Sequence, residues 1–518
     1  MTGGTEAAPG SDRPVVPGSD RPVGTGRLVD EVGLRTRRVI YGDLTPADIE
    51  AELPYLVRVD RAHLVMLAEC GLVPADAAVA LLRCIDELAV DSFRPLLGRP
   101  VPRGLYLMYE GYLIERLGPD IGGVLQSGRS RNDLKATITA LRARDRTLEF
   151  AEQAVRLEAA LLSRARAYRS VVMPIYTHFQ AAMPITYGYY LLGVALAVGR
   201  DLDALRTAAA GLQVCPLGAG AAAGTDLPID PARTAALLGF AAPTRHALDA
   251  VASRDVLLRV LSAAAGLAVT LSRLATDLQL WSTSEFGFIR FPDRLVGGSS
   301  AMPQKRNAFI TEHVKAKPGL ALGSWTAAAA AMAATPFTNS IEVGTEAVAS
   351  VWPGLRAAEE SVLLCQALVS GARPVPDRMA GTAEAGFTVA TSLANRLVRH
   401  GVPFRTAHRL VGEAVRKAIA AGSTDLAKFG PPGWLDQLDD PALDPADLVQ
   451  THVYGGGPGA FEQPCRQAGA AWVEHRAWHQ GWRRALTEAD AALAAAVHAV
   501  LASGAAGGQG EPAKDGSA

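Results

Sequence analysis

From Gly128 to Pro174 the chain runs without an intervening glycine or proline, and Leu141, Leu148, Val155 and Leu162 recur along it every seven residues. Glycine and proline interrupt helices most readily, so this stretch has little to stop a helix once it starts, and the seven-residue spacing sets one apolar stripe along it. A second proline-free run lies between Pro243 and Pro292, where Leu257, Leu261, Ala264, Leu267, Leu271, Leu274, Leu278 and Trp281 step by three and four. A helix over 246–284 would be about 58 Å long at 1.5 Å per residue. Such a rod must pack against partners of similar length. Further helical patterns cover 185–213, 309–335 with Pro318 inside, and 344–371 with Pro353 inside. Alternating β patterns are sparse, so the chain reads as all-α, built on an extended helical bundle. Stripes this long exceed what one chain covers, which points to oligomerisation.

The bundle occupies 131–375, with shorter helical patterns flanking it at 27–130 and 376–502. Residues 1–26, with PGSDRPV twice, and residues 503–518 carry too little apolar surface to offset ordering entropy, and read as disordered tails. At 518 residues, 49% hydrophobic and 20% charged, the chain has ample material for two to four domains. A net charge of -1 supplies no basic field for nucleic acid or an anionic membrane, so neither is expected as a partner. Residues 318–341 carry no charge over a span-like length, but they are mostly small residues with prolines near both ends, and read as a buried bundle helix. The five cysteines form no metal or redox spacing and no secretory signal precedes them; reduced thiols in a cytoplasmic protein are the expectation.

Three polar segments interrupt the apolar helices. SGRSRNDLKAT (Ser127–Thr137) sets Ser130, Arg131 and Asn132 at the head of a long helix, with Asn132 or Asp133 as its N-cap; donors at a helix N-terminus make a carboxylate site, though a capped helix with solvated arginines fits equally. PIYTHFQ (Pro174–Gln180) reads as a loop between bundle helices, with Thr177 and Gln180 beside His178, a group that titrates near neutrality. GGSSAMPQKRN (Gly297–Asn307) collects Ser299, Ser300, Lys305 and Asn307 in a glycine-led loop, in a chain whose lysines are few. An ordinary inter-helix turn is the alternative, but a turn has no need of so many donors.

GSSAMPQKRN closely resembles the signature loop of the fumarase/aspartase superfamily. GRSRND, YTHFQ, LGAG (217–220), GTDLPID (224–230), LDAVASRD (248–255), LWSTSEFGF (280–288) and PFRTAHRLVG (403–412) narrow the resemblance to the argininosuccinate lyase branch, over roughly residues 40–500. It implies a central long-helix bundle with smaller helical N- and C-terminal domains, and a lyase that releases fumarate without cofactor or metal. Ser299 is then the general base, with Lys305 and Asn307 facing the resulting aci-carboxylate. His178 stands on the leaving-group side with Glu312 as its partner. Ser130, Arg131, Asn132, Thr177, Gln180 and Ser300 contact the dicarboxylate substrate. The three segments would meet from three subunits of a homotetramer.

The sequence departs from that pattern on the amine side. Gly104 and Tyr106 stand where the family has an Asp-x-His pair, Gln126 replaces a histidine, and Asp60 replaces a serine. In TPFTNSIEVGTEAV (Thr335–Val348), Asn339, Gly344 and Ala347 replace a tyrosine, a glutamine and a lysine. Ala308 replaces the proline after the loop asparagine. The inference is a C–N lyase acting on an N-substituted aspartate with a leaving group other than arginine. The alternatives are a conventional argininosuccinate lyase and a non-catalytic structural protein of the crystallin kind.

Overall fold

The computed structural model describes residues 32–42, 45–101, 103–435, 438 and 443–507. The expected tails at 1–26 and from 508 onward lie outside the described residues. The backbone divides into two compact units. One comprises residues to 138, 215–247 and from 488 onward; the other comprises 139–214 and 248–487.

In the first unit, α1 (Pro46–Glu69) starts on a capping box, with Thr45 accepting from Asp48 N and the Asp48 carboxylate accepting from Thr45 N. It packs against α2 (Ala75–Val90), which also meets α3 (Leu105–Leu117). Leu53, Leu56, Leu64 and Leu67 on α1 and Leu81, Leu82 and Ile85 on α2 are fully buried.

The second unit is held by the long stripes. In α4 (Arg131–Ala167), Leu141, Leu148, Val155 and Leu162 are all buried. A β-hairpin, β1 (Val172–Thr177) and β2 (Gln180–Thr186), leads to α5 (Tyr187–Ala209), capped by Thr186 Oγ1. The sequence pattern reads this hairpin as a loop; the strands form because Met173, Pro174 and Ile185 find a buried face against the bundle. The rod expected over 246–284 is broken into α6 (Ala247–Ala252) and α7 (Asp255–Trp281), the latter about 40 Å long. Arg254 sits at the break. Its guanidinium turns back and donates to the carbonyls of Ala250, Val251 and Ser253, the acceptors a helix end leaves open. It does so buried, and desolvation pushes its pKa down to about 10.

All eight apolar positions read on α7 are buried, and α7 packs against α5, α8 (Phe309–Met332) and α9 (Val348–Gly371). The uncharged stretch 318–341 is not one helix: α8 ends at Met332, and a π-helical turn over Glu342–Ala347 precedes α9. Length and composition alone would let α7 and α13 (Glu462–Gly507) cross a membrane. However, α7 is the middle of this core, and α13 carries Arg466, Arg476, Arg483 and Arg484 along its length. The C-terminal segment holds α10 (Ala390–Arg399), α11 (Phe404–Ala420), α12 (Pro445–Thr451) and α13 (Glu462–Gly507), which runs past residue 503, where a tail was expected to begin.

His475 ties α13 to two bundle helices. Its Nδ1 lies 2.9 Å from Glu158 Oε2 and its Nε2 3.2 Å from Asp203 Oδ1. Burial opposes charge on this imidazole, but the Glu158 hydrogen bond and field, then those of Asp203, outweigh it and raise the pKa above 6.5. A raised folded-state pKa gives stability that is full below pH 6.5 and is lost as pH rises through the folded value. His475→Gln should therefore lower stability by about 2 kcal/mol at pH 6, with most of that difference gone at pH 9. Urea midpoints of parent and variant at the two pH values test this; an equal loss at both would mean that the imidazole acts unprotonated.

Candidate active site

In the first unit, the head of α4 is built by side chains of its own first turn. Ser130, not Asn132 or Asp133, is the N-cap: its Oγ accepts from Asn132 N (3.3 Å), and its own N–H donates to Asp133 Oδ1 (2.9 Å). The other Asp133 oxygen accepts from Gly218 N (3.1 Å) and Gly220 N (2.9 Å) of the LGAG turn. Asp133 is fully buried, and burial raises its pKa although these N–H groups oppose it. Asn132 Nδ2 reaches Ala221 O at 3.0 Å. Arg131 faces solvent beside half-buried Ser130 and Asn132, with no ion-pair partner among the described residues. An exposed guanidinium at a helix N-terminus suits a carboxylate.

Behind this turn lies a feature that the sequence does not announce. The Arg129 guanidinium pairs with Asp60 at 2.7 Å, both side chains wholly out of solvent. Arg129 Nε donates to Gln126 Oε1 (3.1 Å), and its Cζ sits 6.0 Å from the Tyr106 ring centroid. Tyr106 donates to Glu110 (3.1 Å), and the Tyr109 hydroxyl is set against Asp60. Burial works against the charge on Arg129, but Asp60 and Tyr106 hold its pKa above the ordinary value. Asp60, Tyr106 and Gln126, three of the departures noted above, thus belong to one buried network.

In the second unit, Thr177 pairs with Gln180, which leaves His178 and Phe179 as a two-residue turn. Both are left-handed, at φ 51° and 59°. This turn geometry favours Asn-Gly, and left-handed conformation costs about 1–2 kcal/mol for each residue bearing a Cβ. The base of the hairpin is firm: the Tyr176 ring lies 5.5 Å from Phe286 and 6.2 Å from Phe288. The tip is open, with Thr177, His178 and Gln180 exposed and Phe179 75% exposed.

The glycine-led loop is closed at its neck by β3 (Gly297–Gly298) against β4 (Arg306–Asn307), and Arg306 ties it to Asp293 and to Phe291 O. Ser299 Oγ accepts from Ala301 N (3.3 Å) and Met302 N (3.0 Å), an arrangement that favours negative charge on that oxygen. Ser300 and Lys305 are exposed, while Ser299 and Asn307 are half-buried. Glu312, in the first turn of α8, accepts from Gln279 Nε2 (3.1 Å) rather than from His178. No hydrogen bond among the described residues joins His178, Glu312 and Ser299. Asn339, Gly344 and Ala347 fall on and just before the π-turn; Ala347 is buried, and Gly344 lies close to Asn339 Oδ1.

Two family models match the chain: Lyase, over residues 108–323, and Argininosuccinate lyase C-terminal, over 387–448. An argininosuccinate lyase of Methanoculleus marisnigri is 38% identical over 409 residues, 77% of this chain and 83% of that protein. That of Mycolicibacterium gilvum is 39% identical over 373 residues, 71% and 78% respectively. Among solved structures, EDDS lyase in complex with formate aligns with a TM-score of 0.78 at 30% identity, over 88% of this chain and 92% of that one. An EDDS lyase variant with bound fumarate gives 0.79 at 29%, over the same shares. Class II fumarase of Schistosoma mansoni, 15% identical with a TM-score of 0.65 over 79% of this chain and 93% of its own, shares the fold.

The hairpin tip yields a direct test of strain. Phe179→Gly should leave the melting temperature unchanged or raise it by about 1–3 °C, because glycine adopts the left-handed turn freely. A clear fall in calorimetric melting temperature would show that the phenyl ring, despite its exposure, holds the hairpin.

Proposed function

The chain belongs to the argininosuccinate lyase family of fumarate-releasing carbon–nitrogen lyases, and we propose that it splits an N-substituted aspartate whose leaving amine is not arginine. The contrast between the two halves of the candidate site supports this reading. On the fumarate side, Ser130, Arg131 and Asn132 head α4 with the Arg131 guanidinium exposed, and Ser299, Lys305 and Asn307 share one loop. On the amine side, Asn339, Gly344 and Ala347 stand where the family has a tyrosine, a glutamine and a lysine, so those three family contacts to an arginine are missing. The relatives named argininosuccinate lyase favour the second reading, in which arginine leaves after all.

In the proposed mechanism Ser299 Oγ removes the proton from the carbon next to a substrate carboxylate. The two backbone N–H groups aimed at that oxygen stabilise the alkoxide, the form of serine that can take a proton. The carbanion's charge spreads into the carboxylate as an aci-carboxylate, opposed by Lys305 and Asn307. Arg131, Asn132, Ser130 and Thr177 hold the succinyl carboxylates, with Gln180 and Ser300 beside them. The C–N bond then breaks, and His178 protonates the departing nitrogen or relays a proton to it. No step calls for a cofactor.

We assign the complete site to a homotetramer. Within one chain His178 lacks the Glu312 contact and the site residues stand largely open, so other subunits are left to finish the pocket. The surface for that assembly is α8, uncharged from Gly319 to Met332 yet with Leu320, Leu322 and Trp325 exposed. Five cysteines outside any disulfide, four of them buried, accord with a cytoplasmic home.

Ser299→Ala should lower activity by about 10²-fold or more with helicity and oligomeric state kept, measured by fumarate absorbance. Near-native turnover would remove Ser299 from its role, and no turnover in the parent on any N-succinyl amine would favour a non-catalytic protein. Mixed tetramers of His178→Asn and Ser299→Ala chains should regain activity, because some sites draw both residues from undamaged subunits. For the leaving group, the test is kcat/KM for argininosuccinate against other N-succinyl amines. A margin of up to about 10⁴-fold in favour of another amine is within reach of lost polar contacts; argininosuccinate as the best substrate would establish the second reading.

A further inference from the structure

The residues assigned to the succinyl grip, Ser130, Arg131 and Asn132, are bracketed by two buried charged anchors. On the far side Asp133 takes the N–H groups of Gly218 and Gly220. On the near side Arg129 is held by Asp60 and Gln126 over the Tyr106 ring. The turn between them needs such anchorage. Gly128 is left-handed at φ 70°, and a Cβ there would lie 2.6 Å from Ile229 Cγ2, so the backbone must pass in one narrow path. The Ser127 carbonyl is bonded by His63 Nε2 at 2.9 Å. Asp60 and Arg129 themselves are sealed from solvent and cannot touch substrate.

We propose that the Asp60–Arg129 pair is the positioning device of the dicarboxylate grip, fixing the entry of the chain into α4 so that Arg131 and its neighbours meet the carboxylates already aligned. Asp60, Gln126 and Tyr106 are then a connected set at positions that look like separate losses in the sequence. Their effect falls on substrate affinity, because an unaligned grip weakens ground state and transition state alike and leaves the chemistry on the Ser299 loop untouched. The inference rests on the reading of Ser130, Arg131 and Asn132 as the grip.

The experiment measures succinate binding by titration calorimetry on the full chain, with KM and kcat on an N-succinyl amine that it turns over. Asp60→Asn alone leaves a buried unpaired guanidinium and is prone to unfold. The decisive variant is therefore Asp60→Leu/Arg129→Met, which removes both charges at similar volume. It should melt close to the parent, bind succinate at least about tenfold more weakly, and show KM raised with kcat within about threefold. A folded double variant that binds succinate as the parent does would reduce the pair to a structural role and overturn the proposal. If that variant does not fold, Gln126→Leu decides: it removes one tie and no charge, and should weaken succinate binding about two- to fivefold, whereas parental affinity would refute the idea. Arg131→Ala is the control. If it leaves succinate affinity unchanged, the grip reading itself fails and the inference falls with it; if it abolishes binding while the network variants bind normally, only the inference fails.

Discussion

The burial of one face of α7 sets the terms for the rest of the second unit. Its leucine stripe removes eight apolar side chains from water along about 40 Å, and each buried leucine is worth roughly 2 kcal/mol. A helix buried along its whole length can carry no chemistry on that face, so the polar segments are displaced to where the helices end. The His178 hairpin follows α4, the Ser299 loop follows α7, and the π-turn precedes α9. Rigid helices close on either side let short irregular segments hold defined shapes.

Polar contacts fix much of the irregular backbone. Asp133 is bonded to four backbone N–H groups from two places in the chain, and Arg254 closes a helix end with no ion-pair partner among the described residues. The Asp60–Arg129 pair is the extreme case. Charges out of water are stable only with close partners, so such a pair tolerates few arrangements and defines the backbone that carries it. Left-handed His178 and Phe179 draw on the same economy in reverse, with local strain tolerated because the strands and the Tyr176 aromatic contacts hold the turn from below.

The openness of the segments proposed as catalytic and the apolar surface of α8 both accord with the proposed assembly. Leu320 and Leu322 remain half-exposed or more on the stretch of α8 that is uncharged from Gly319 to Met332, while Lys305, His178 and Glu312 lie at the surface. Buried against other subunits, the first set would drive assembly and the second would lose the water that screens its charges. Association would then supply both stability and the low-dielectric setting that a serine base requires.

The sequence alone determined the helical class, the α4 and α7 stripes and the three polar segments, because periodicity and the absence of helix breakers act locally and every residue of a motif lies within one short stretch. All twelve stripe positions read on α4 and α7 are buried. It did not show that PIYTHFQ forms a hairpin, that the 246–284 rod breaks at Arg254, or that Ser130 caps α4. Each of these turns on where one side chain or strand finds its partner. The Asp60–Arg129 network was least legible. Asp60, Tyr106, Gln126 and Arg129 come from separate elements, and a pattern that tells which side of a helix is apolar says nothing about which buried charge meets which. Tertiary structure decided that, because only folding brings those groups within the few ångströms over which a desolvated charge can be satisfied.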